Sequence, residues 1–138
     1  MGFFDNVLKK VGASLATRYG IVSSGKYLNC HIAMGNPPKA KVSTANNFSQ
    51  IIFLKDKEEV ARFNILSEIL DIKYMETIQF PATGKDGYRC KITYLDGNTS
   101  DVDFFPSKIR VIYANLKAAM LEETCKFFEK EIEKLPQG

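Results

Sequence analysis

Two places in the sequence put side chains with reactive chemistry close together. Cys30 and His31 are adjacent, and Asp101 and Asp103 are two residues apart. A thiol beside an imidazole suits nucleophilic catalysis, and paired carboxylates suit metal binding or acid–base work. His31 is the only histidine, however, and no cysteine or carboxylate pair is spaced to complete a site with it. We therefore predict no catalytic residue, no metal and no cofactor, and we interpret the two aspartates as solvent-facing residues that protect an edge strand.

Composition limits the class of protein that can position these residues. The 138 residues suffice for one domain with its own core. No apolar run approaches the roughly 18 residues that a bilayer span needs. The net charge of +3 is a weak basic bias, which does not by itself indicate nucleic-acid binding. Three widely separated cysteines, Cys30, Cys90 and Cys125, suggest neither a disulfide framework nor a zinc site and favour a reducing cytoplasm.

The first twenty residues are predicted to form a short amphipathic helix. Phe4, Leu8, Val11 and Leu15 recur at helical spacing, and the basic residues fall largely elsewhere on the helix. In one interpretation the apolar stripe docks on the body of the domain. In the other, the helix lies in a membrane interface or against a partner. The residues assigned to this second role are Phe3, Phe4, Leu8, Lys9 and Lys10.

The first half of the domain body is predicted to be a set of short strands. Residues 19–25 contain two glycines and two serines and are interpreted as a connector, so that the domain covers residues 26–135. Strands are predicted over 26–34 and, more briefly, over 39–44. The apolar run 51–54 has no alternation, which indicates a strand covered on both faces, and the next alternating run makes a hairpin with it.

The second half is predicted to be a hairpin that leads into a long helix. Between residues 67 and 80 the pattern fits a helix or a strand, and we predict a turn followed by a strand. Alternating residues from Tyr88 to Tyr94 point into the core, and Asp96-Gly97 forms the hairpin turn. A single helix is predicted over 107–135. Its apolar residues form two offset stripes, and the second stripe is assigned to self-association, to a bend around the barrel, or to covering the N-terminal helix.

Two segments carry a resemblance to a known family. Residues 65–72, ILSEILDI, are similar to the turn into the mid-barrel strand of pleckstrin-homology-like proteins, and residues 88–97, YRCKITYLDG, are similar to their penultimate strand and turn. The order of elements over residues 26–135 also resembles the bacterial, GRAM-type members. The resemblance implies an α+β fold, in which a small antiparallel β-barrel or half-barrel is capped by the long C-terminal helix.

The resemblance also implies a binding site. In lipid-binding members, basic side chains around the loop between the first two strands hold phosphate oxygens. The residues assigned here to an anionic headgroup or a partner are Lys39, Lys41, Lys55, Lys57 and Arg62. Glu58 and Glu59 share a turn with two of these lysines, so a charge-balanced, solvated surface is the alternative interpretation.

We therefore predict a non-enzymatic binding module of the bacterial cytoplasm. Its partner is a protein or the anionic inner face of the membrane, where the module would be peripheral. One alternative is a protein-interaction or oligomerisation domain that uses the C-terminal helix and binds no lipid. The other is a small β-barrel that binds single-stranded nucleic acid; it ranks third because Tyr88 and Tyr94, which would have to stack on bases, are predicted to face the core.

Overall fold

In the computed structural model, residues 16–38 and 47–136 are described, and their strands form one antiparallel sheet. The seven strands of this part of the chain are β1 (Gly20–Gly25), β2 (His31–Gly35), β3 (Gln50–Lys55), β4 (Glu58–Asn64), β5 (Ile69–Gln79), β6 (Asp86–Tyr94) and β7 (Thr99–Phe104). Their order in the sheet is β4-β3-β2-β1-β7-β6-β5. The first and last strands therefore lie side by side near the middle, and β4 and β5 form the two edges.

The prediction of a β-barrel or half-barrel is wrong, because the sheet is not closed. No ladder joins β4 to β5 among the described residues, and a one-turn helix, α1 (Ile65–Glu68), connects these two edges. The sheet nevertheless curves strongly. The ring of Phe63 on β4 lies 4.8 Å from that of Tyr94 on β6, centroid to centroid. Side chains, rather than backbone hydrogen bonds, therefore bridge the two opposite ends of the strand order, while the ladder between β1 and β7 joins the two halves at the middle.

The edge of β5 is hydrogen-bonded by the C-terminal segment instead of by β4. Met120 makes a parallel bridge with Ile72, and the backbone N–H of Leu121 donates to the Ile72 carbonyl at 3.0 Å. The Tyr74 backbone N–H donates to Oγ1 of Thr124 at 2.7 Å. An edge strand whose polar groups already have partners gains little from closing a barrel.

The prediction of one helix over 107–135 is also wrong. A 3-10 turn (Pro106–Lys108) leads into α2 (Ile109–Leu116), a second 3-10 turn follows, and α3 (Glu122–Glu133) begins after the extended residues Met120 and Leu121. The two offset stripes in the sequence belong to these two helices. Each packs apolar residues on the same core, as the complete burial of Ile112 on α2 and Phe128 on α3 shows.

Residues 19–25 are not a connector, since six of them form β1. Only Val22 is a large buried side chain in this strand, so its sequence lacks the apolar alternation of an ordinary strand. A side chain at Gly20 would place its Cβ 2.6 Å from the Asp103 carbonyl, which explains the glycine. The predicted strand over 26–34 starts only at His31, and the strand predicted over 39–44 lies outside the described residues.

Several elements agree with the sequence pattern. The β3–β4 and β6–β7 hairpins are confirmed, as is the turn and strand predicted over 67–80, which is α1 followed by β5. The run 51–54 is buried on both faces as predicted. Ile51 and Phe53 face the main core, whereas Ile52 and Leu54 join Ala33 in a smaller cluster on the outer face of the sheet.

Candidate binding surface

Three turns meet at one end of the sheet. The β1–β2 turn covers residues 26–30, the β3–β4 turn is centred on Asp56 and Lys57, and the β6–β7 turn covers residues 95–98. The backbone N–H of Lys26 donates to the Thr99 carbonyl at 2.9 Å, so the first turn adjoins β7. The same turn adjoins the second turn, because β2 pairs with β3 from its first residue onward. These three turns form the turn end of the molecule.

A stack of aromatic rings supports the turn end from inside. Tyr27 stacks on Phe53 at 4.8 Å and meets Tyr94 edge-on at 5.8 Å. Tyr27 has φ 65°, a left-handed conformation that costs a non-glycine residue about 1–2 kcal/mol. The Cys30 backbone N–H donates to the Tyr27 carbonyl at 3.0 Å and holds this turn. The rings pack against one another, and these contacts hold the β1–β2 turn in place at this end of the molecule.

Four exposed leucines lie on the β6–β7 turn and on the elements that adjoin this hairpin. The exposed fractions are 47% for Leu28, 81% for Leu66, 58% for Leu70 and 63% for Leu95. Leu28 and Leu95 lie in the β1–β2 and β6–β7 turns. Leu66 and Leu70 lie on α1 and at the start of β5, which adjoin the β6–β7 turn because the Leu95 N–H donates to the Glu68 carbonyl at 3.4 Å. We call these four residues the leucine rim.

Sequence reasoning missed the leucine rim, although one signal for it was present. The alternation that points Tyr94 into the core requires Leu95 to point outward. Leu28 was assigned to a strand that begins only three residues later. Leu66 and Leu70 lie where the chain changes from strand to helical turn and back, and no single period describes such a segment.

The predicted basic set is not brought together at this end. Arg62 lies on β4 opposite Ile52, and its guanidinium donates to both carboxylate oxygens of Glu59 at 2.7 and 3.2 Å. It also donates to Oε1 of Gln50 at 2.7 Å and to the Asn36 carbonyl at 3.1 Å. These bonds occupy the guanidinium within the fold and leave Arg62 little capacity to hold an anion.

The other predicted site residues divide into two groups. Lys55 and Lys57 lie exposed at the β3–β4 turn. Outside the described residues lie Lys39, Lys41, Phe3, Phe4, Leu8, Lys9 and Lys10, together with most of the predicted N-terminal helix.

Charges at the turn end are mixed. Lys26 joins Lys55 and Lys57 there, and its Nζ lies 5.7 Å from the centroid of the Tyr27 ring. Asp56 and Asp96 lie in the same turns, and Asp96 accepts hydrogen bonds from the backbone and the side chain of Asn98, both at 2.9 Å. The turn end therefore has no single-sign field with which to attract a polyanion.

The adjacent Cys30 and His31 side chains point to opposite faces of the sheet. Cys30 is buried in the core, and burial raises the pKa of its thiol, which disfavours the thiolate. His31 lies exposed on the outer face, where desolvation and then the nearby Arg18 lower its pKa. Within 16–38 and 47–136, no group of three or more histidine, cysteine or acidic side chains is placed to hold a metal ion. The absence of catalysis and of a cofactor stays a prediction.

The edge-protection interpretation of Asp101 and Asp103 is wrong, because β7 lies between β1 and β6. Asp103 is also not solvent-facing, since its side chain is 5% exposed. It accepts two hydrogen bonds from Arg89, at 2.8 and 3.0 Å. Asp101 accepts one from Oγ of Ser24 at 3.2 Å. The two carboxylates thus have separate partners on neighbouring strands.

The aromatic residues considered for nucleic-acid stacking face the core, as predicted. Tyr94 and Tyr88 are both buried. The ring of Tyr88 meets that of Phe127 edge-on at 5.0 Å, and its hydroxyl donates to Glu131 at 2.9 Å. Neither ring offers a free face on which a base could stack.

The second apolar stripe predicted in the C-terminal segment packs largely on the core; its residues are Leu121, Cys125, Phe128, Ile132 and Leu135. Phe128 is fully buried, and Cys125, Ile132 and Leu135 pack against the core cluster. Leu121, which is partly exposed, is the exception. Self-association through this segment stays a prediction.

Neither the helices of the described ranges nor a comparison with known proteins identifies a membrane span or a family. None of the helices in the described ranges has the length and apolarity to cross a bilayer. No protein-family model, no curated protein and no solved structure matches the chain significantly, so its resemblance to pleckstrin-homology-like proteins stays a prediction.

Proposed function

We propose that this chain is a non-enzymatic binding module that recognises another protein with its leucine rim. The observation that carries the proposal is the exposure of four leucines on elements that adjoin the β6–β7 hairpin. Burying a leucine side chain contributes roughly 1.5–3 kcal/mol, and an exposed apolar patch of this kind is typical of an interaction site. Scattered exposed leucines are ordinary, whereas a group around one hairpin calls for an explanation.

The surroundings of the leucine rim favour a protein over an anionic membrane. Protein interfaces combine an apolar centre with a polar periphery of both charges. Lys26 shares the β1–β2 turn with Leu28, and Asp96 shares the β6–β7 turn with Leu95, so charges of both signs lie beside the leucine rim. An anionic bilayer would favour the lysines and disfavour the aspartates, and Arg62 is already occupied within the fold.

The proposal can be tested with a photo-crosslinking amino acid placed at position 95 or 66 of the full chain in cells. The matched control carries it at position 73, on the outer face of β5, away from the leucine rim. We expect one protein to be captured from positions 95 and 66 and not from 73. With that protein purified, Leu66→Ser combined with Leu95→Ser should raise the Kd at least about tenfold, since two buried leucines are lost.

A second variant separates loss of the leucine rim from general loss of apolar surface. Met75→Ser removes an exposed apolar residue of β5 outside the leucine rim and should leave the Kd unchanged. Sedimentation with anionic vesicles at low salt should show no binding. The proposal would be wrong if no protein were captured from positions 66 and 95 while the chain bound vesicles and Leu28→Ser abolished that binding. The chain would then recognise an anionic membrane surface. The cytoplasmic location, at or away from the inner membrane face, stays a prediction.

A further inference from the structure

The outer face of β2 and β3 carries an apolar cluster that is almost fully covered. Ala33, Ile52 and Leu54 are 1%, 8% and 2% exposed, although they point away from the main core. Ala16 packs against them. Arg62 is the cross-strand neighbour of Ile52 on this face, and Ala16 is the apolar residue of the described ranges that packs on the cluster. One alanine methyl group is too small to cover both Leu54 and Ala33, so we expect further apolar cover from the preceding segment.

The chain enters the sheet beside this cluster. The Tyr19 backbone N–H donates to the Ile32 carbonyl at 2.8 Å, which places the residues just before β1 alongside β2. Ala33 is the next residue on β2, and it pairs with Ile52 on β3. The segment that precedes Ala16 is therefore attached at the margin of the covered face.

The sequence of that segment suits the face. Phe4, Leu8, Val11 and Leu15 recur at helical spacing, and the last of them directly precedes Ala16. A helix of twelve residues is about 18 Å long at 1.5 Å per residue. Four strands about 4.8 Å apart span roughly 14 Å between the outer two, so such a helix is long enough to cross β1 to β4.

We propose that residues 3–15 are the occupant of this face and cover Ala33, Ile52 and Leu54 with the Phe4–Leu8–Val11–Leu15 stripe. This assignment decides between the two roles open to the segment. A stripe that packs on the sheet is withheld from a bilayer, and Lys9 and Lys10 then lie toward solvent. The leucine rim is built from other residues, so this docking is independent of the proposed function.

Paramagnetic broadening in the full-length chain tests the docking directly. A nitroxide is attached at Leu8→Cys in a Cys125→Ser background, because Cys125 is the one partly exposed thiol and Cys30 and Cys90 are buried. We expect the amide signals of residues 52 and 54 to lose more than half their intensity, and those of residues 73 and 91 to keep theirs. A matched label at Lys73→Cys, on the other half of the sheet, should broaden residue 91 and leave residues 52 and 54 unbroadened. Unbroadened signals at 52 and 54, or equal broadening on both halves of the sheet, would overturn the proposal.

A double-mutant cycle supplies a second measurement that does not depend on the label. In wild type, Leu8→Ala should destabilise the chain to urea. With Ile52→Ala already present, that loss should shrink at least twofold, because contacting residues are not additive. With Leu70→Ala on the leucine rim as the matched background, the loss should be unchanged. Full additivity in both backgrounds would show that the segment does not pack on this face.

Discussion

One sheet carries two outer surfaces with different side chains. The first surface belongs to β2 and β3, and the second belongs to β5, β6 and β7. The first is apolar and covered. The second carries charges in cross-strand pairs, with Lys91 opposite Asp101 and Arg89 opposite Asp103. A strand that alternates apolar and polar residues leaves one face for water, whereas an uninterrupted apolar strand requires cover on both faces. The two halves share an inner core. The outer face of one half is apolar and covered by other side chains, whereas the outer face of the other half is charged and faces water.

The contrast also shows where stability and recognition can be separated. On the covered half, Ala33, Ile52 and Leu54 contribute through burial, and His31 at the start of β2 is exposed. On the charged half, most outward side chains are at least partly solvated, and Asp103 is the buried exception. Recognition is assigned to neither outer face but to the turn end, where substitution of exposed leucines should cost little stability.

The largest expected effect comes from placing a charge on the covered face. Leu54→Asp buries an unpaired carboxylate and should lower the free energy of unfolding by about 3–5 kcal/mol. The matched change on the charged half, Lys73→Asp, places an exposed acid opposite Lys91 and should stay within about 0.5 kcal/mol. Urea unfolding followed by circular dichroism measures both. Similar losses for the two variants would remove the contrast between the faces.

A smaller effect is expected from the buried ion pair of the charged half. Arg89→Met removes both hydrogen bonds to Asp103 and leaves its carboxylate buried without this partner, which should cost about 2–3 kcal/mol. Lys126→Met breaks ion pairs with Glu122 and Glu123 that are largely exposed, and it should cost less than about 0.5 kcal/mol. The same unfolding assay applies. A negligible loss for Arg89→Met would mean that the charged half needs none of its pairs.

The smallest effect is a pH dependence on the inner side of the charged half. Burial, followed by the hydrogen bond to Glu131, raises the pKa of Tyr88 to about 12. The unfolded chain releases this proton near its ordinary pKa of about 10. The contribution is therefore fully present below about pH 10 and is lost as the pH rises toward 12, where the folded state is forced to ionise.

Two measurements check that pH dependence. The urea midpoint should fall between pH 10 and 12, and Tyr88→Phe should make that fall shallower. Tyrosinate absorbance in the folded chain should show one fewer late-ionising group in the variant. Tyr113 supplies a control, because its hydrogen bond to Glu129 also raises its pKa to about 12, and it should still ionise late in the Tyr88 variant. An unchanged alkaline slope would contradict the assignment of Tyr88.

Elements that depend on interactions between residues close in the sequence could be predicted, whereas elements that depend on pairing with a distant strand could not. The β6–β7 hairpin was predictable because Asp96-Gly97 and the flanking alternation are local signals. Strand β1 was not, since a GIVSSG segment is typical of turns, and its pairing with β7 joins residues about eighty positions apart. The Asp101–Asp103 motif was misjudged for the same reason: β7 became central only when β1 paired with it.

The sequence by itself determined an α+β chain of antiparallel hairpins, a doubly covered strand at 51–54 and inward-facing Tyr88 and Tyr94, because side-chain periodicity and turn residues act over a few positions. Only the tertiary structure decided that the sheet stays open and that the predicted helix over 107–135 breaks at Met120, where it bonds the edge of β5. It also decided that the Arg62 guanidinium is hydrogen-bonded within the fold and that the elements carrying the four exposed leucines adjoin the β6–β7 hairpin. These outcomes depend on which distant strands meet, and no local pattern encodes that choice.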